Sequence, residues 1–324
     1  MLQRAFNNLG ETLFKTETKF ISSEVYFSVD ELSLTTRLNQ LVKSHPEVTF
    51  GSYPSWSNQY YKTKITLEAV SEDLIEATKT EMKDMMGPIS FDPNPMENSY
   101  DKIQEFLKHC SDDNLVKAVE KSLEIVEECF AKYEPDAMSV CFNGGKDCIV
   151  MLHLVHAFHQ KHFPDKKLKS FYISEKKTFS EVDSFMDVTI SRYNLSNTVF
   201  EGPMKPALAK MLEEGPSVVA TILGVRQGDP GSQYLDSFSP TDGDWPKVIR
   251  VNPILAWTYK DIWAFLRGLS LPYPSLYDQG YTSLGNPDNT IPNPALLYLT
   301  EQGEKKFKPA YMLEDPALER SGRI

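Results

Sequence analysis

The run Ser139-Val140-Cys141-Phe142-Asn143-Gly144-Gly145-Lys146-Asp147-Cys148-Ile149-Val150-Met151-Leu152 places the tightest constraint on how this chain can fold. An apolar strand enters a double-glycine turn carrying a Lys and an Asp, and leaves it as an apolar helix. Glycine has no Cβ, so the turn can take φ > 0 and bring its backbone close to a ligand. The helix opens with N–H groups that lack intrahelical partners and with the positive end of its dipole, which favours a bound anion. Lys146 adds a cation, and Asp147 at the helix start is placed to hold a divalent metal that bridges phosphates. The spacing is neither Gly-x4-Gly-Lys-Ser/Thr nor Gly-x-Gly-x-x-Gly. From these residues alone, a phosphate site and a tight turn with solvated charges are both open.

The turn sits in a longer alternation. Leu115, Val119, Leu123, Val126 and Phe130 predict a helix over 115–132. Strand signals follow at Ala137 to Phe142, Lys169 to Ile173, Thr198 to Phe200, Val218 to Leu223 and Val248 to Val251, with helical patterns between most of them. This order implies an α/β fold, a mainly parallel sheet with helices on both faces, in which ligands sit beyond the carboxyl ends of the strands. Three strand ends carry chemistry: Asn143 to Asp147, the run Gly224-Val225-Arg226-Gln227-Gly228-Asp229-Pro230, and Arg250 preceded by Thr241-Asp242-Gly243-Asp244-Trp245-Pro246. One rim would collect Lys146, Arg226 and Arg250 with Asp147, Asp229 and Asp242, which suits a metal-nucleotide site better than a structural role.

At 324 residues the chain is long enough for two cores. Before the alternation, Phe20 to Val29 reads as a strand, Asp30 to Lys43 as a helix capped by Asp30, and Val48 to Tyr53 with Gln59 to Ala69 as a hairpin. Ser71 to Met86 reads as a helix with Ser71 as N-cap, and Pro88 to Phe91 as a short strand. The order βαββαβ is that of a small α+β ferredoxin-like unit. Met1 to Phe14 reads as a helix with little to pack on, as if an upstream part were missing. The expected division is a first domain over 1–91, a linker over 92–114 opening at Asp92-Pro93-Asn94-Pro95 and containing a helix near Tyr100 to Cys110, and a second domain over 115–324.

A hydrophobic fraction of 41% supports packed globules over disorder, and a net charge of −11 argues against a nucleic-acid or anionic-membrane surface. Any anionic substrate must therefore meet a local cluster of cations. The four cysteines, Cys110, Cys129, Cys141 and Cys148, form no C-x-x-C pair, and no apolar run approaches the roughly 20 residues that span a bilayer. A soluble, cytoplasmic protein is expected. His153, His156 and His159 recur on the helix after the turn, and the pattern places them on a solvated face rather than in a metal site. Trp257, Trp263 and Phe265 read as core, in or beside a helix that starts after a cap at Thr258.

Five ordered blocks resemble the eukaryotic FAD synthases, the FMN adenylyltransferase group related in fold to phosphoadenylyl-sulfate reductase and the wider ATP-pyrophosphatases. They are Phe142 to Cys148, Gly224 to Pro230, Asn252-Pro253-Ile254-Leu255-Ala256-Trp257-Thr258-Tyr259-Lys260-Asp261-Ile262-Trp263, Tyr281-Thr282-Ser283-Leu284-Gly285, and Leu318-Glu319-Arg320-Ser321-Gly322-Arg323. Phe50-Gly51-Ser52-Tyr53-Pro54-Ser55-Trp56 with Tyr60-Tyr61-Lys62 resembles the part next to the synthase domain in animal-type bifunctional relatives, where it ends a molybdopterin-binding-like domain. The larger half of that domain has no counterpart here. Residues 1–91 are therefore read as a remnant with a packing role.

The resemblance implies the reaction FMN + MgATP → FAD + pyrophosphate, with FMN and ATP as partners, Mg²⁺ accompanying ATP, and FAD passed on to client flavoproteins. It implies ATP contacts from Phe142, Asn143, Gly144, Gly145, Lys146, Gly224 and Arg226, and a metal role for Asp147. The implied flavin contacts are Asp229, Asp242, Trp245, Arg250 and Arg320, and the implied catalytic set is Asn143, Lys146, Asp147, Asp229, Arg320 and Arg323. The residue types suit this chemistry independently: a phosphate monoester with a second pKa near ~6 is already an ionised nucleophile, so no base is needed. Asp147 and Asp229 could instead cap a helix or turn, and Arg320 and Arg323 could sit in a solvated tail. Other ATP-pyrophosphatases carry Ser where Asn143 and Cys148 stand, and Glu175-Lys176-Lys177-Thr178 replaces an acidic stretch of the fungal synthases. Two alternatives are a non-catalytic flavin- or nucleotide-binding protein and sulfonucleotide reduction, which needs a C-terminal cysteine where none follows Cys148.

Overall fold

Apolar alternation in the N-terminal strands closes a small antiparallel sheet. The structure is a computed structural model that describes residues 19–174 and 177–324. The helix expected over Met1 to Phe14, and Glu175 and Lys176, lie outside the described residues. The chain divides into two compact units, Met1–Phe91 and Asp92–Ile324.

In the first unit, β1 (Ile21–Phe27), α1 (Glu31–Ser44), β2 (Thr49–Pro54), β3 (Thr63–Ala69) and α2 (Glu72–Met86) follow one another. The sheet order is β1-β3-β2 with antiparallel pairing throughout. Phe27, Leu41, Ile65, Leu67 and Met82 are fully enclosed between the sheet and the two helices. Asp30 caps α1 by accepting from the Ser33 N–H at 3.0 Å, whereas Ser71 precedes α2 without a side-chain cap bond. The strand expected over Pro88 to Phe91 shrinks to one antiparallel bridge, Ile89 to Tyr26, on the free side of β1. Pro88 lacks an N–H and cannot extend that ladder.

The second unit begins with α3 (Ser99–His109) and α4 (Asp113–Lys132), then β4 (Met138–Cys141), α5 (Lys146–His162), β5 (Lys169–Ser174), α6 (Ser180–Arg192) and β6 (Ser196–Glu201). It continues through α7 (Met204–Glu214), β7 (Ala220–Ile222), β8 (Phe238–Pro240), β9 (Ile249–Val251), α8 (Tyr259–Gly268) and the small hairpin β10 (Leu297–Leu299) and β11 (Lys305–Phe307). The six-stranded sheet has the order β6-β5-β4-β7-β9-β8, parallel except where β8 meets β9. The α/β reading with a mainly parallel sheet therefore holds. The edge strand β8 escapes the sequence because three residues ending in Pro carry no alternation, and Pro is tolerated only at such an edge.

From β4 the chain steps outward to β5 and β6, then returns to β7 on the other side of β4. The loops after β4 and β7 thus diverge from adjacent strands and leave a crevice at the carboxyl edge, where open α/β sheets bind ligands. This placement turns two distant sequence blocks into neighbours.

Two expectations change. The stretch 92–114, read as a linker, contains α3 packed into the second unit: Ile103 is fully buried, and Phe106 lies edge-on to Phe265 at 5.9 Å and against Gly268. The histidines of α5 are not on a solvated face, since His153, His156 and His159 are only 0%, 8% and 3% exposed. Helix α5 is buried almost all round, with α3, α4 and α8 packed against it, so its polar stripe meets protein. Trp257, Trp263 and Phe265 are core as expected, and the Trp257 indole N–H donates to Ser122 Oγ at 2.8 Å. Thr258 and Asp261 form a capping box at the start of α8.

Candidate active site

The double-glycine turn divides its labour. Gly144 takes φ +75°, and an added Cβ there would lie 2.9 Å from Met186 Cγ. Gly145 has an ordinary φ of −70° and caps α5, and its N–H donates to Asn143 Oδ1 at 3.0 Å. Asn143 therefore folds back to fix the turn. The Lys146 N–H donates to the Tyr277 hydroxyl at 3.0 Å, tying the helix head to the far side of the crevice. Gly224 in the loop after β7 lets that loop close on the same head, since a Cβ there would be 2.9 Å from the Cys148 backbone.

Four charged side chains interlock behind these loops. Lys146 Nζ lies 2.6 Å from Glu319 Oε1 and 3.2 Å from Asp147 Oδ2. Arg226 donates from Nε to Asp147 Oδ1 at 2.6 Å and from Nη2 to Glu319 Oε1 and Oε2 at 2.6 and 2.7 Å. Lys146 and Arg226 are both buried. Burial alone would lower the Lys146 pKa, yet the Asp147 carboxylate, Tyr277 and Glu319 outweigh it and hold the ammonium well above its ordinary value. Burial likewise opposes ionisation of Asp147, and Lys146 and Arg226 overcome it, so its carboxyl stays below the usual range. Two cations face two carboxylates, and removing one member would strand a buried charge at a cost of about 3–5 kcal/mol. Asp229 accepts from the Arg226 backbone N–H at 2.9 Å, so it does fix the turn that presents Arg226, and it also borders the cavity in front.

That cavity, about 390 Å³, runs from Asn143 and the head of α5 past Gly224 and Asp229 to Ser283, Arg320 and Arg323. The arginine segment is not a loose tail. Asn293 Nδ2 donates to the Leu318 carbonyl at 2.7 Å, Thr282 Oγ1 to the Glu319 carbonyl at 2.6 Å, and the Ile291 and Ile324 N–H groups to Gly322 and Asn289 at 2.9 Å. Gly285 forms a slot for the Arg323 guanidinium, because a Cβ there would fall 2.1 Å from Arg323 Cζ. Burial, then the neighbouring Arg320 charge, pull the Arg323 pKa below the ordinary guanidinium value. Among the described residues neither arginine is in an ion pair, so this wall of the cavity favours an anion.

A second cavity, about 180 Å³, is mostly apolar, with Phe171, Leu208, Leu223 and Val248 in its walls and Asp242, Trp245 and Arg250 at its polar side. Ile173 and Met204 line both cavities, so the two are adjoining compartments. Arg250 donates to the Pro240 carbonyl at 2.7 Å and lies 3.4 Å from Asp242 Oδ1, while its buried Nε has no hydrogen-bond partner among the described residues. Burial pushes the Cys141 thiol and the Tyr277 phenol each up to about 12, so both stay protonated at neutral pH. No histidine lines either compartment.

The structure sorts the candidate residues accordingly. Asn143, Gly145, Lys146, Asp147, Gly224, Asp229, Arg320 and Arg323 border the first compartment, and Asp242, Trp245 and Arg250 the second. Phe142 is fully buried and lines neither, because a strand-end aromatic under the turn belongs to the core. Gly144 packs on Met186, and Arg226 stands behind the cavity wall. Asp229 and Arg320, implied as flavin contacts, stand in the first compartment rather than the second. Asp147 does not fit as a resident metal ligand: each of its oxygens already faces a cation, and no group of three His, Cys, Asp or Glu able to hold an ion occurs among the described residues. Sequence reasoning missed Glu319 and Tyr277. The acid beside Arg320 was a visible signal for the first; Tyr277 stands outside every motif.

The chain matches two families, "FAD synthase, middle domain" over residues 19–94 and "Phosphoadenosine phosphosulfate reductase domain" over 137–217 and 201–292. A probable FAD synthase of Caenorhabditis briggsae is 36% identical, covering 99% of this chain and 64% of that protein. A probable FAD synthase of Schizosaccharomyces pombe is 34% identical, covering 70% of this chain and 88% of that protein. The crystal structure of Candida glabrata FMN adenylyltransferase in complex with FMN and the ATP analogue AMPCPP superposes with a TM-score of 0.66 at 26% identity, over 71% of this chain and 96% of that one. The chain thus spans just under two thirds of the length of its nematode relative. Among the described residues no helix is long and apolar enough to cross a membrane.

Proposed function

The chain belongs to the FAD synthase family, and from that premise we propose that it transfers the adenylyl group of MgATP to the phosphate of FMN, giving FAD and pyrophosphate. The observation that carries this reading is the pair of adjoining compartments, one walled by an anion-seeking helix head and two unpaired arginines, the other apolar with Asp242 and Arg250 at its side. The first suits a triphosphate and the second a planar ring with polar edges. Asp242 can accept from a ring N–H, and the buried Arg250 Nε is a donor awaiting an acceptor. Ile173 and Met204 mark where the two substrates would meet.

The reaction needs a phosphate oxygen of FMN to form a bond to the α-phosphorus of ATP while the bond to the bridging oxygen breaks and pyrophosphate leaves. The nucleophile is largely ionised at neutral pH, which accords with compartments bordered by protonated Cys141 and Tyr277 and by no histidine. Bringing two polyanions into line is the hard step, and fixed cations and backbone amides lower its cost. Arg320 and Arg323 face the phosphates, the positive end of the α5 dipole adds to their field, and Asp229 holds the loop that shapes the wall. Mg²⁺ enters as part of MgATP, held by the phosphate oxygens. Incubating the protein with FMN, ATP and Mg²⁺ and resolving the products by chromatography should yield FAD and pyrophosphate in equal amounts. Folded protein that makes no FAD would refute the reading.

A further inference from the structure

Resting on the function proposed above, we infer that Glu319 is a positioning residue: its carboxylate latches strap 313–324 to the nucleotide loop and so aims Arg320 and Arg323 at the phosphates. Lys146 and Arg226 are the cations a phosphate would be expected to seek, yet both are buried and already matched by Asp147 and Glu319. The unmatched arginines of the cavity are on the strap, Arg320 directly after Glu319 and Arg323 one turn further on in the Gly285 slot. The strap contains a short 3₁₀ turn, Pro316–Leu318, with Glu314 and Asp315 exposed before it; beside the Asn293 and Thr282 bonds to its carbonyls and a few backbone bonds, charge pairing is its other tie to the unit. Glu319 is its one carboxylate in contact with the loops after β4 and β7, and it touches both, through Lys146 and Arg226. Lys146 and Arg226 act through this latch, as positioning residues that hold the arginine-bearing strap in register.

The competing reading makes Glu319 a stand-in for phosphate that swings away when ATP arrives. Hydrogen exchange of the strap amides separates the two. In the wild-type protein, a non-hydrolysable ATP analogue should slow exchange across 319–324; faster exchange would mean that the latch opens, and would overturn the proposal. Glu319→Gln keeps the shape and removes the charge, so exchange across 319–324 should rise at least tenfold more than in the rest of the unit. In turnover, Glu319→Gln should lower kcat at least tenfold, and adding Glu319→Gln to an Arg320→Ala/Arg323→Ala variant should slow it no further, because no arginine is then left to aim. Multiplying effects, or an unaltered kcat and exchange rate in Glu319→Gln, would overturn the proposal. Should that variant fail to fold, Glu319→Asp keeps the charge and shortens the reach by one methylene; its strap should also exchange faster, and wild-type exchange with wild-type kcat would count against the latch. The exchange measurements need no turnover, so a wild-type protein that makes no FAD would sink the functional proposal alone.

Discussion

Lowering the pH from 7 to 5 should destabilise the second unit by about 4 kcal/mol, through histidines that take no part in the chemistry. His153 is enclosed by Tyr193, whose hydroxyl is 3.0 Å from Nδ1, and by Phe265, and its Nε2 has no hydrogen-bond partner among the described residues. Burial first, then His156 and Lys102, push its pKa down to about 3, and burial pushes His156 down to about 4. Both are thus neutral in the folded protein, while in the unfolded chain each binds a proton below about 6.5. The unfolded state holds more protons between these limits, so stability is full above about pH 6.5 and falls as the pH drops toward 4. Each histidine contributes about 1.4 kcal/mol per pH unit in that window, or about 2 kcal/mol between pH 7 and 5. His159, also lowered by burial, acts in the same direction. The effect is large against typical total stabilities of about 5–15 kcal/mol. Urea unfolding followed by tryptophan fluorescence at pH 7, 6 and 5 measures it, with Trp245, Trp257 and Trp263 reporting on this unit. Replacing His153 by Asn should remove about half of the pH dependence. A wild-type midpoint that does not move between pH 7 and 5 would refute the buried-neutral assignment.

Gly285→Ala should place a methyl group in the slot of the Arg323 guanidinium, 2.1 Å from Cζ, and lower kcat by about 100-fold, as misplacing a catalytic group commonly does; steady-state FAD formation with a matched melting temperature checks it. Asp242→Asn should raise KM for FMN by about 10- to 100-fold, the worth of one hydrogen bond to a charged acceptor, and leave KM for ATP nearly unchanged; equal changes in both constants would remove Asp242 from the flavin side. Chelation by EDTA should abolish FAD formation reversibly without shifting the melting temperature, because the ion comes with ATP; a lower melting temperature would reveal a resident metal site.

Sequence by itself determined the elements and their chemistry. The strand-to-helix turn at Asn143 to Asp147, the parallel strands, the Thr258 cap and the antiparallel N-terminal sheet all follow from local rules of periodicity, capping and glycine freedom, which act over a few residues and leave their mark there. It also named candidates that the structure brings to one rim, such as Asn143, Lys146 and Asp229, because strand ends in a parallel sheet point to one edge, but it left out Glu319 and Tyr277. Tertiary structure decided what each residue meets. The histidines of α5 and Phe142 are buried because other elements cover them, and no pattern within a helix or turn says which side will be covered. Lys146 and Asp147 read as phosphate and metal contacts until Glu319, far away in the chain, and Arg226 came to share their charges. Ion pairing depends on distance in space and on the water excluded around it, and neither is written in the spacing of residues along the chain.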